Sequence, residues 1–342
     1  MRLVVQIPCY NEEATIASVI ADVPRRIDGI ADVLVLVVDD GSRDQTVAMA
    51  LAAGADYVAR HARNRGLAAA FRSGLDVALR LGADIVVNTD GDNQYAGADI
   101  PRLVEPILLG RADLVVGDRG ASAAPHFTRQ KRLLQGVGSW VVRQLSGAEV
   151  PDAPSGFRAM SREAALRLNI VTSYSYTLET LIQAGTQRFA VTSVPITARP
   201  TGRKSRLARG TFDYVQRSLV TIVRAYTMYQ PIRVFVALCL LLVLPGLFGA
   251  ARFIWFYLNG QGAGHLQSLV LSSVLVIIGF QVGLIGLVAD LIAANRRLLE
   301  ESLYRLRRLE ATTPDARTGD AGSSQAAPVL AANDAEWRVT RV

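Results

Sequence analysis

Short apolar runs alternate with longer mixed segments along the first third of the chain. Leu3–Ile7, Val33–Val38, Tyr57–Arg60, Ile85–Val87 and Leu114–Gly117 are such runs, and polar turns follow them. Unbroken apolar runs of this length suit strands of a parallel sheet covered on both faces. Between them the spacing predicts amphipathic helices: one ending near Arg25, one ending near Ala53, and one over Leu67–Leu81. Ser42 or Asp44 can cap the second. Strand, polar turn and helix in repetition predict an α/β fold with an open, mostly parallel sheet and helices on both faces. In such sheets ligands bind beyond the carboxyl ends of the strands. That rule gathers the turns after the first, second and fourth strands into one crevice.

Past residue 210 the pattern changes. Thr211–Tyr229 sets Phe212, Val215, Leu219, Ile222 and Tyr226 at helical spacing, with Arg217 and Arg224 between them. This suits a helix in a membrane interface, with a packed core helix as the alternative. Ile232–Tyr257 and Leu266–Ala294 are each long enough to span an apolar core of about 30 Å. Pro245-Gly246 can kink the first. Arg252 lies near its far end and can snorkel, and Asp290 lies near the other end of the second. Asn259–His265 carries no Lys or Arg, whereas Arg296, Arg297, Arg305, Arg307 and Arg308 follow the second span. The positive-inside bias then predicts a two-helix transmembrane hairpin with both termini and the N-terminal domain in the cytoplasm, at the plasma membrane. Gly279, Gly283 and Gly286 offer small packing surfaces that can pair the two helices or helices of different subunits, so a homo-oligomer is possible. The expected organisation is a domain over 1–210, a juxtamembrane helix over 211–230, spans over 231–258 and 266–294, a charged helix over 295–311, and a disordered tail over 312–342.

Composition suggests membrane segments. Half of the 342 residues are hydrophobic and the net charge is +7. Cys9 and Cys239 fall too far apart in character to suggest a disulfide framework, which fits a reducing compartment. Residues 1–8 are too short an apolar run for a signal peptide. No zinc-type Cys/His spacing occurs.

The chemistry lies in the turns. Asp90 and Asp92 flank Gly91 just beyond the fourth strand, and the glycine lets the backbone turn sharply. Two carboxylates so spaced can hold one hard divalent cation, with Gln94 adding an oxygen. Mg²⁺ and Mn²⁺ favour such ligands, usually shared with substrate phosphates. A plain polar turn is the structural alternative. There is no Gly-x-Gly-x-x-Gly after the first strand and no Walker A sequence, which disfavours a dinucleotide site and a glycine-rich phosphate cradle.

Taken together, Pro8-Cys9-Tyr10-Asn11-Glu12, Asp39-Asp40-Gly41-Ser42 with Asp44 and Thr46, Asn64-Arg65-Gly66 and Asp90-Gly91-Asp92 resemble family 2 glycosyltransferases of the GT-A fold. The resemblance covers roughly residues 1–205. It continues into Asp152-Ala153-Pro154-Ser155-Gly156-Phe157-Arg158, which is similar to the Ser-Gly-Phe-Arg segment of polyprenyl-phosphate (dolichyl-phosphate) hexosyltransferases. Val194-Pro195-Ile196, Arg199 and Gly202-Arg203-Lys204-Ser205 resemble that group's strand and basic loop. The resemblance implies that Pro8, Tyr10, Asn11 and Glu12 line the nucleotide pocket, that Asp39 accepts a hydrogen bond from the base, and that Asp40 lies close to the nucleoside. It implies Asp90, Asp92 and Gln94 on the metal. Asp92 and Asp152 are the catalytic candidates, Asp152 for orienting the acceptor or the sugar, with a turn residue beside Pro151 and Pro154 as its alternative. Two departures stand out. Ala96-Gly97 replaces the commoner proline after the metal turn, which predicts a less rigid loop, and Leu67 stands where a lysine often follows Asn-Arg-Gly. The Gln-x-x-Arg-Trp signature of processive synthases is absent, which argues for transfer of a single sugar.

Basic residues concentrate in two stretches. Residues 119–143 carry Arg119, Arg129, Lys131, Arg132 and Arg143, mostly on an expected helix after a loop at 120–126. Residues 199–233 carry eight Lys/Arg against one acid, Asp213. Contact with anionic lipid head groups explains such clusters at about 1 kcal/mol per charge. With the resemblance added, Arg119, Arg129, Arg132, Ser155, Arg158, Arg199, Lys204 and Ser205 become candidates for binding an acceptor phosphate. Glu179, on a helix expected over Tyr176–Ala184, is a candidate for a sugar hydroxyl, and a solvated helix carboxylate is its alternative. The implied activity is metal-dependent, inverting transfer of one hexose-type sugar from a UDP- or GDP-linked donor to polyprenyl phosphate at a membrane, with no role for nucleic acid. A different glycolipid or glycan acceptor, or an idle scaffold in glycan assembly, are the competing readings.

Overall fold

The computed structural model describes residues 1–120, 150–170, 176–199, 227, 230–260, 262–312, 328–331 and 337–341. The chain divides into two units: Met1–Ser218 together with Ser302–Val342, and Leu219–Glu301.

In the first unit β1 (Arg2–Cys9), α1 (Ile16–Asp22), β2 (Asp32–Asp39), α2 (Thr46–Ala52), β3 (Tyr57–His61), α3 (Leu67–Arg80) and β4 (Ile85–Asn88) follow one another. Then come α4 (Ile100–Leu108), β5 (Leu114–Asp118), β6 (Arg158–Ser161), α5 (Arg162–Arg167), α6 (Tyr176–Thr186) and β7 (Val191–Pro195). β1 pairs in parallel with β2 on one side and β4 on the other, and β3 continues the parallel set beyond β2. β6 runs antiparallel between β4 and β5, and β7 lies parallel to β5.

The central strands β1, β2 and β4 are mostly apolar because both faces are covered. Along β1, Leu3, Val5 and Ile7 point into one core with Ile16, Val19 and Ile20 of α1 and Ile100, Leu103 and Val104 of α4. Val4 points the other way, into a second core with Phe71, Leu75 and Val77 of α3 and Leu181 of α6. The period of two sorts each strand between the cores. Gln6 shares Val4's face yet is fully buried, and it serves the site described below.

The C-terminal residues depart from the expected disordered tail. β8 (Pro328–Ala331) and β9 (Trp337–Arg341) join the sheet, with β9 antiparallel to β3. The average composition of residues 312–342 conceals the short segment Trp337-Arg338-Val339-Thr340-Arg341. It holds β-formers in a row, and Val339 is fully buried. The row of unpaired amides and carbonyls that β3 would leave at the sheet edge supplies the partner.

In the second unit α7 (Pro231–Leu258) runs through Pro245, and the following helix begins at Leu266. Both helices are long and apolar enough to cross a membrane, and their outward Leu241, Phe248, Leu291 and Ile292 are exposed. The glycines pair the two helices. A Cβ at Gly279 would lie 2.6 Å from Val243 Cγ2, and one at Gly283 would lie 3.3 Å from Cys239 Sγ. Gly286 meets Phe235.

The charged segment after the second span is a continuation of the same helix, α8 (Leu266–Thr312), and not a separate element. Nothing at residues 294–296 breaks a helix, and Arg296 pairs with Glu300 one turn on at 2.7 Å. The end of α8, within the first unit, docks on α5 and α3. Tyr304 donates to Glu163 at 3.2 Å, Arg307 donates to Leu168 O at 2.8 Å, and Arg307 lies 3.5 Å from Asp76.

Candidate active site

Growth of the sheet changes direction between β1 and β4, so a crevice opens at their carboxyl ends. The turns after β1 and β2 are clasped there. Asn11, at φ +53°, donates its N–H to Ser42 Oγ at 2.8 Å, and its side chain accepts from Arg43 N at 3.0 Å. Glu12 N donates to Thr46 Oγ1 at 2.9 Å, and Gln45 N donates to Glu13 Oε2 at 2.9 Å. Pro8 is buried at the end of β1, while Tyr10 and Glu12 remain half-buried beside it.

Asp39 and Asp40 have different surroundings. Asp39 Oδ1 accepts Ser42 N–H at 3.0 Å. Its Oδ2 is buried without a hydrogen bond, although Arg60 Nε approaches to 3.0 Å as an ion pair. Asp40 is saturated by the protein. Its carboxylate accepts Arg65 N–H at 2.9 Å and Gly66 N–H at 2.8 Å, and His61 Nδ1 lies at 2.7 Å. His61 Nε2 reaches Ser73 Oγ at 2.9 Å. Asp40 therefore fixes the Asn64-Arg65-Gly66 loop through contacts from β3 and α3. Gly41 permits that loop to close, since a Cβ there would lie 2.7 Å from Arg63 C.

The Asp90-Gly91-Asp92 turn packs on the end of β1. A Cβ at Gly91 would lie 3.1 Å from Cys9 Cβ, and Thr15 Oγ1 donates to Gly91 O at 2.7 Å. Asp92 Oδ1 accepts Gln94 N–H at 3.1 Å. Asp90 is half-buried as a residue, but its Oδ1 is sealed from solvent without a hydrogen bond. Burial above all, and then the Asp92 charge, push its carboxyl up to about 7. The loop beyond is fastened down despite the missing proline. Gly97 N donates to Asp22 Oδ2 at 2.6 Å, and a Cβ at Gly97 would lie 2.6 Å from Asp22 C. Arg199 clamps the same loop: its N donates to Gln94 O at 2.8 Å, and its guanidinium donates to Asn93 Oδ1 at 2.6 Å and Asp22 Oδ2 at 3.0 Å.

Opposite lies the loop 152–158. Asp152 is buried and receives a forked pair from Arg119, Nε at 2.6 Å and a terminal nitrogen at 2.8 Å. Arg158 is fully buried, and it donates to Ser155 O at 2.8 Å, Thr177 O at 2.7 Å, Ala153 O at 2.6 Å and Thr180 Oγ1. None of these four is a carboxylate, and burial pulls its pKa down to about 10. Arg158 thus holds the loop from inside and does not present its guanidinium to the crevice. Ser155 Oγ is buried beside the Tyr95 hydroxyl, without a hydrogen bond of regular geometry.

Gly156 joins this loop to the metal turn. A Cβ there would lie 2.7 Å from Asp90 Oδ2. Its carbonyl accepts from Asn88 Nδ2 at 2.8 Å, and Asn88 Nδ2 also reaches Tyr176 OH at 3.0 Å. Gln6 Nε2 in turn donates to Asn88 Oδ1 at 2.9 Å. Glu179 is buried on α6, with Gln183 Nε2 at 3.4 Å.

The structure therefore gathers Pro8, Tyr10, Asn11, Glu12, Asp39, Asp90, Asp92, Arg119, Asp152 and Ser155 around the strand ends. Arg129, Arg132, Lys204 and Ser205 lie outside the described residues, as do the helix expected after residue 126 and most of the one over 211–230. Motif reading passes over His61, Asn88 and Tyr176, because each acts through contacts made by distant segments. Among the described residues no three His, Cys, Asp or Glu side chains converge on one point. The donor set that fits a hard cation is the Asp90–Asp92 pair. The sealed, unpartnered Oδ1 of Asp90 beside a second carboxylate is the arrangement a cation relieves.

A family model described as Glycosyl transferase family 2 matches residues 4–168. Glycosyltransferase AglJ of Haloferax volcanii is 29% identical over 311 residues, covering 89% of this chain and 96% of its own length. The polyprenol monophosphomannose synthase of Mycolicibacterium smegmatis is 31% identical over 207 residues, covering 57% of this chain and 77% of its own. Among solved structures, the glucosyl-3-phosphoglycerate synthase of Mycobacterium tuberculosis in complex with Mn²⁺, UDP and glucosyl-3-phosphoglycerate superposes with a TM-score of 0.51. It is 26% identical, and the match covers 66% of this chain and 78% of that one.

Proposed function

The chain belongs to glycosyltransferase family 2, and from that premise we propose that it moves one hexose-type sugar from a nucleoside diphosphate sugar to polyprenyl phosphate. The observation that carries the reading is the unsatisfied Asp90 carboxylate beside Asp92, one residue contact away from the buried hydroxyl of Ser155. A donor diphosphate and an acceptor phosphate can meet across that short gap. The polyprenol acceptor in the name of the Mycolicibacterium smegmatis relative supports the choice of lipid.

Each residue then has a task. Asp39 Oδ2, which the protein leaves without a hydrogen bond, accepts an N–H of the base, with Pro8 and Tyr10 beside it. Asp90 and Asp92, with Gln94 near them, hold Mg²⁺ or Mn²⁺ on the diphosphate. When bound, that ion supplies positive charge against the leaving diphosphate. Ser155 Oγ donates to an oxygen of the lipid phosphate. Arg119, steadied by Asp152, adds positive charge at the same place, and Arg129, Arg132, Lys204 and Ser205 extend the anion site. The phosphate is already an anion at neutral pH, so it needs alignment and charge balance more than a strong base. In-line attack from the face opposite the diphosphate inverts the anomeric carbon.

The apolar α7 and α8 support a membrane hairpin, which would keep the crevice with its lipid substrate. Arginines beyond both outer ends, and none between the spans, orient those ends to the cytoplasm. The test uses the purified full chain in detergent with short polyprenyl phosphate, Mn²⁺ and a panel of radiolabelled UDP- and GDP-sugars. Label enters the lipid phase, and chelation or Asp92→Asn removes it. Release of free sugar without labelled lipid would remove polyprenyl phosphate as acceptor.

A further inference from the structure

The metal turn and the acceptor loop come from distant parts of the chain, and one side chain joins them. Tyr95 lies three residues after Asp92. Its hydroxyl accepts Gly156 N–H at 3.1 Å. Its ring stacks on Phe157 with centroids 5.2 Å apart and planes 14° apart. Its backbone forms a bridge with Ala198, next to Arg199. Tyr95 is therefore buried among the three segments that carry the donor and acceptor candidates.

Gly156 is held on three sides. Its N–H goes to Tyr95, its carbonyl goes to Asn88, and its α-carbon abuts the Asp90 carboxylate. Ser155, whose hydroxyl is buried beside the Tyr95 hydroxyl, precedes it directly. A change in the place of Gly156 moves Ser155 with it. The donor side has separate anchors, because the turn holding Asp92 is tied through Gly91, Thr15 and Arg199.

We propose that Tyr95 is a positioning residue that sets the acceptor loop relative to the metal turn, so that its hydroxyl governs capture of the acceptor phosphate without touching it. The inference rests on the acceptor reading given above. It predicts an asymmetric defect. Removing only the hydroxyl leaves a buried N–H unpaired at Gly156, which frees the Ser155–Gly156 peptide while the donor anchors persist.

The experiment compares the wild-type full chain with Tyr95→Phe in detergent. Steady-state kinetics are measured with short polyprenyl phosphate and the active nucleotide sugar, and nucleotide affinity is measured by calorimetry with Mn²⁺ and the matching nucleoside diphosphate. Tyr95→Phe keeps the ring and its stacking, so near-native thermal melting serves as the control on folding. The expected result is an apparent KM for the lipid phosphate raised about tenfold, with diphosphate affinity within about twofold of wild type. Tyr95→Leu, which also removes the stack, raises the KM further in the same direction. An unchanged lipid KM in Tyr95→Phe overturns the inference, and so does an equal loss in diphosphate affinity. If the wild-type protein does not use polyprenyl phosphate, the acceptor reading falls and takes this inference with it.

Discussion

Two carboxylates of the crevice, Asp152 and Asp90, have surroundings that could hardly differ more. Asp152, on the acceptor side, is buried and met by both arms of Arg119. Asp90, on the donor side, keeps one oxygen sealed and unpartnered, and its carboxyl is pushed up to about 7. A buried carboxylate paired within the protein is a brace, and removing one partner strands the other. A carboxylate left unsatisfied awaits a cation from outside, and the resting protein tolerates it only at a cost. The difference separates the part of the site that is finished on folding from the part completed by substrate.

The sharpest way to break this contrast is Asp90→Asn. Turnover should fall at least about 1,000-fold, since metal assistance is worth several kcal/mol. The thermal midpoint of the metal-free protein should hold or rise. A parallel loss of stability would make Asp90 a brace like Asp152. Next in size is Asp152→Ala, which should destabilise the N-terminal unit by about 3 kcal/mol through the stranded Arg119. Thermal melting of the detergent-solubilised chain reads this, and the double variant with Arg119→Ala should recover part of it. Equal losses in the single and double variants would deny the pairing.

A third test uses pH. Asp90 has a folded pKa raised above its ordinary 3.8, to about 7. The folded state therefore holds a proton that the unfolded chain releases. Its contribution to stability is full below about pH 4 and is lost as pH rises through 7. Metal needs the ionised form, so Mn²⁺ affinity should climb about tenfold per pH unit up to about pH 7 and then level off. Titration calorimetry across that range checks both the slope and the plateau. A flat profile would place the ionisation elsewhere. The smallest effect is expected at Arg199→Ala. Its partly exposed bond to Asp22 is worth less than about 1 kcal/mol. A large rise in lipid KM there would restore Arg199 to the acceptor site.

Much of this was legible in the sequence. Runs such as Leu3–Ile7 and Val33–Val38 specify two-sided burial, and the motif turns fall where parallel strands end. Asp39 and Asp40 mark a limit. They are identical neighbours, yet one keeps an oxygen without a hydrogen bond and the other is consumed by His61, Arg65 and Gly66. That outcome depends on β3 and the loop after it, about 20 residues on, and no local pattern encodes it. Arg158 misleads for a related reason. An arginine in a motif suggests a phosphate contact, but Arg158 turns to carbonyls of its own loop and to Thr177 O and Thr180 Oγ1, which it meets only when α6 folds over it. The strand at Trp337–Arg341 was hidden by the composition around it.

Gly97 limits how the metal loop can be redesigned. A proline there, borrowed from the commoner form of this turn, would lose the N–H that binds Asp22 and would bring ring atoms against that residue's carbonyl. Loop grafts between members of the family are therefore not modular at this position. A swapped turn has to carry its matching end of α1, and a library that varies residues 93–97 alone would sample mostly sequences that cannot close.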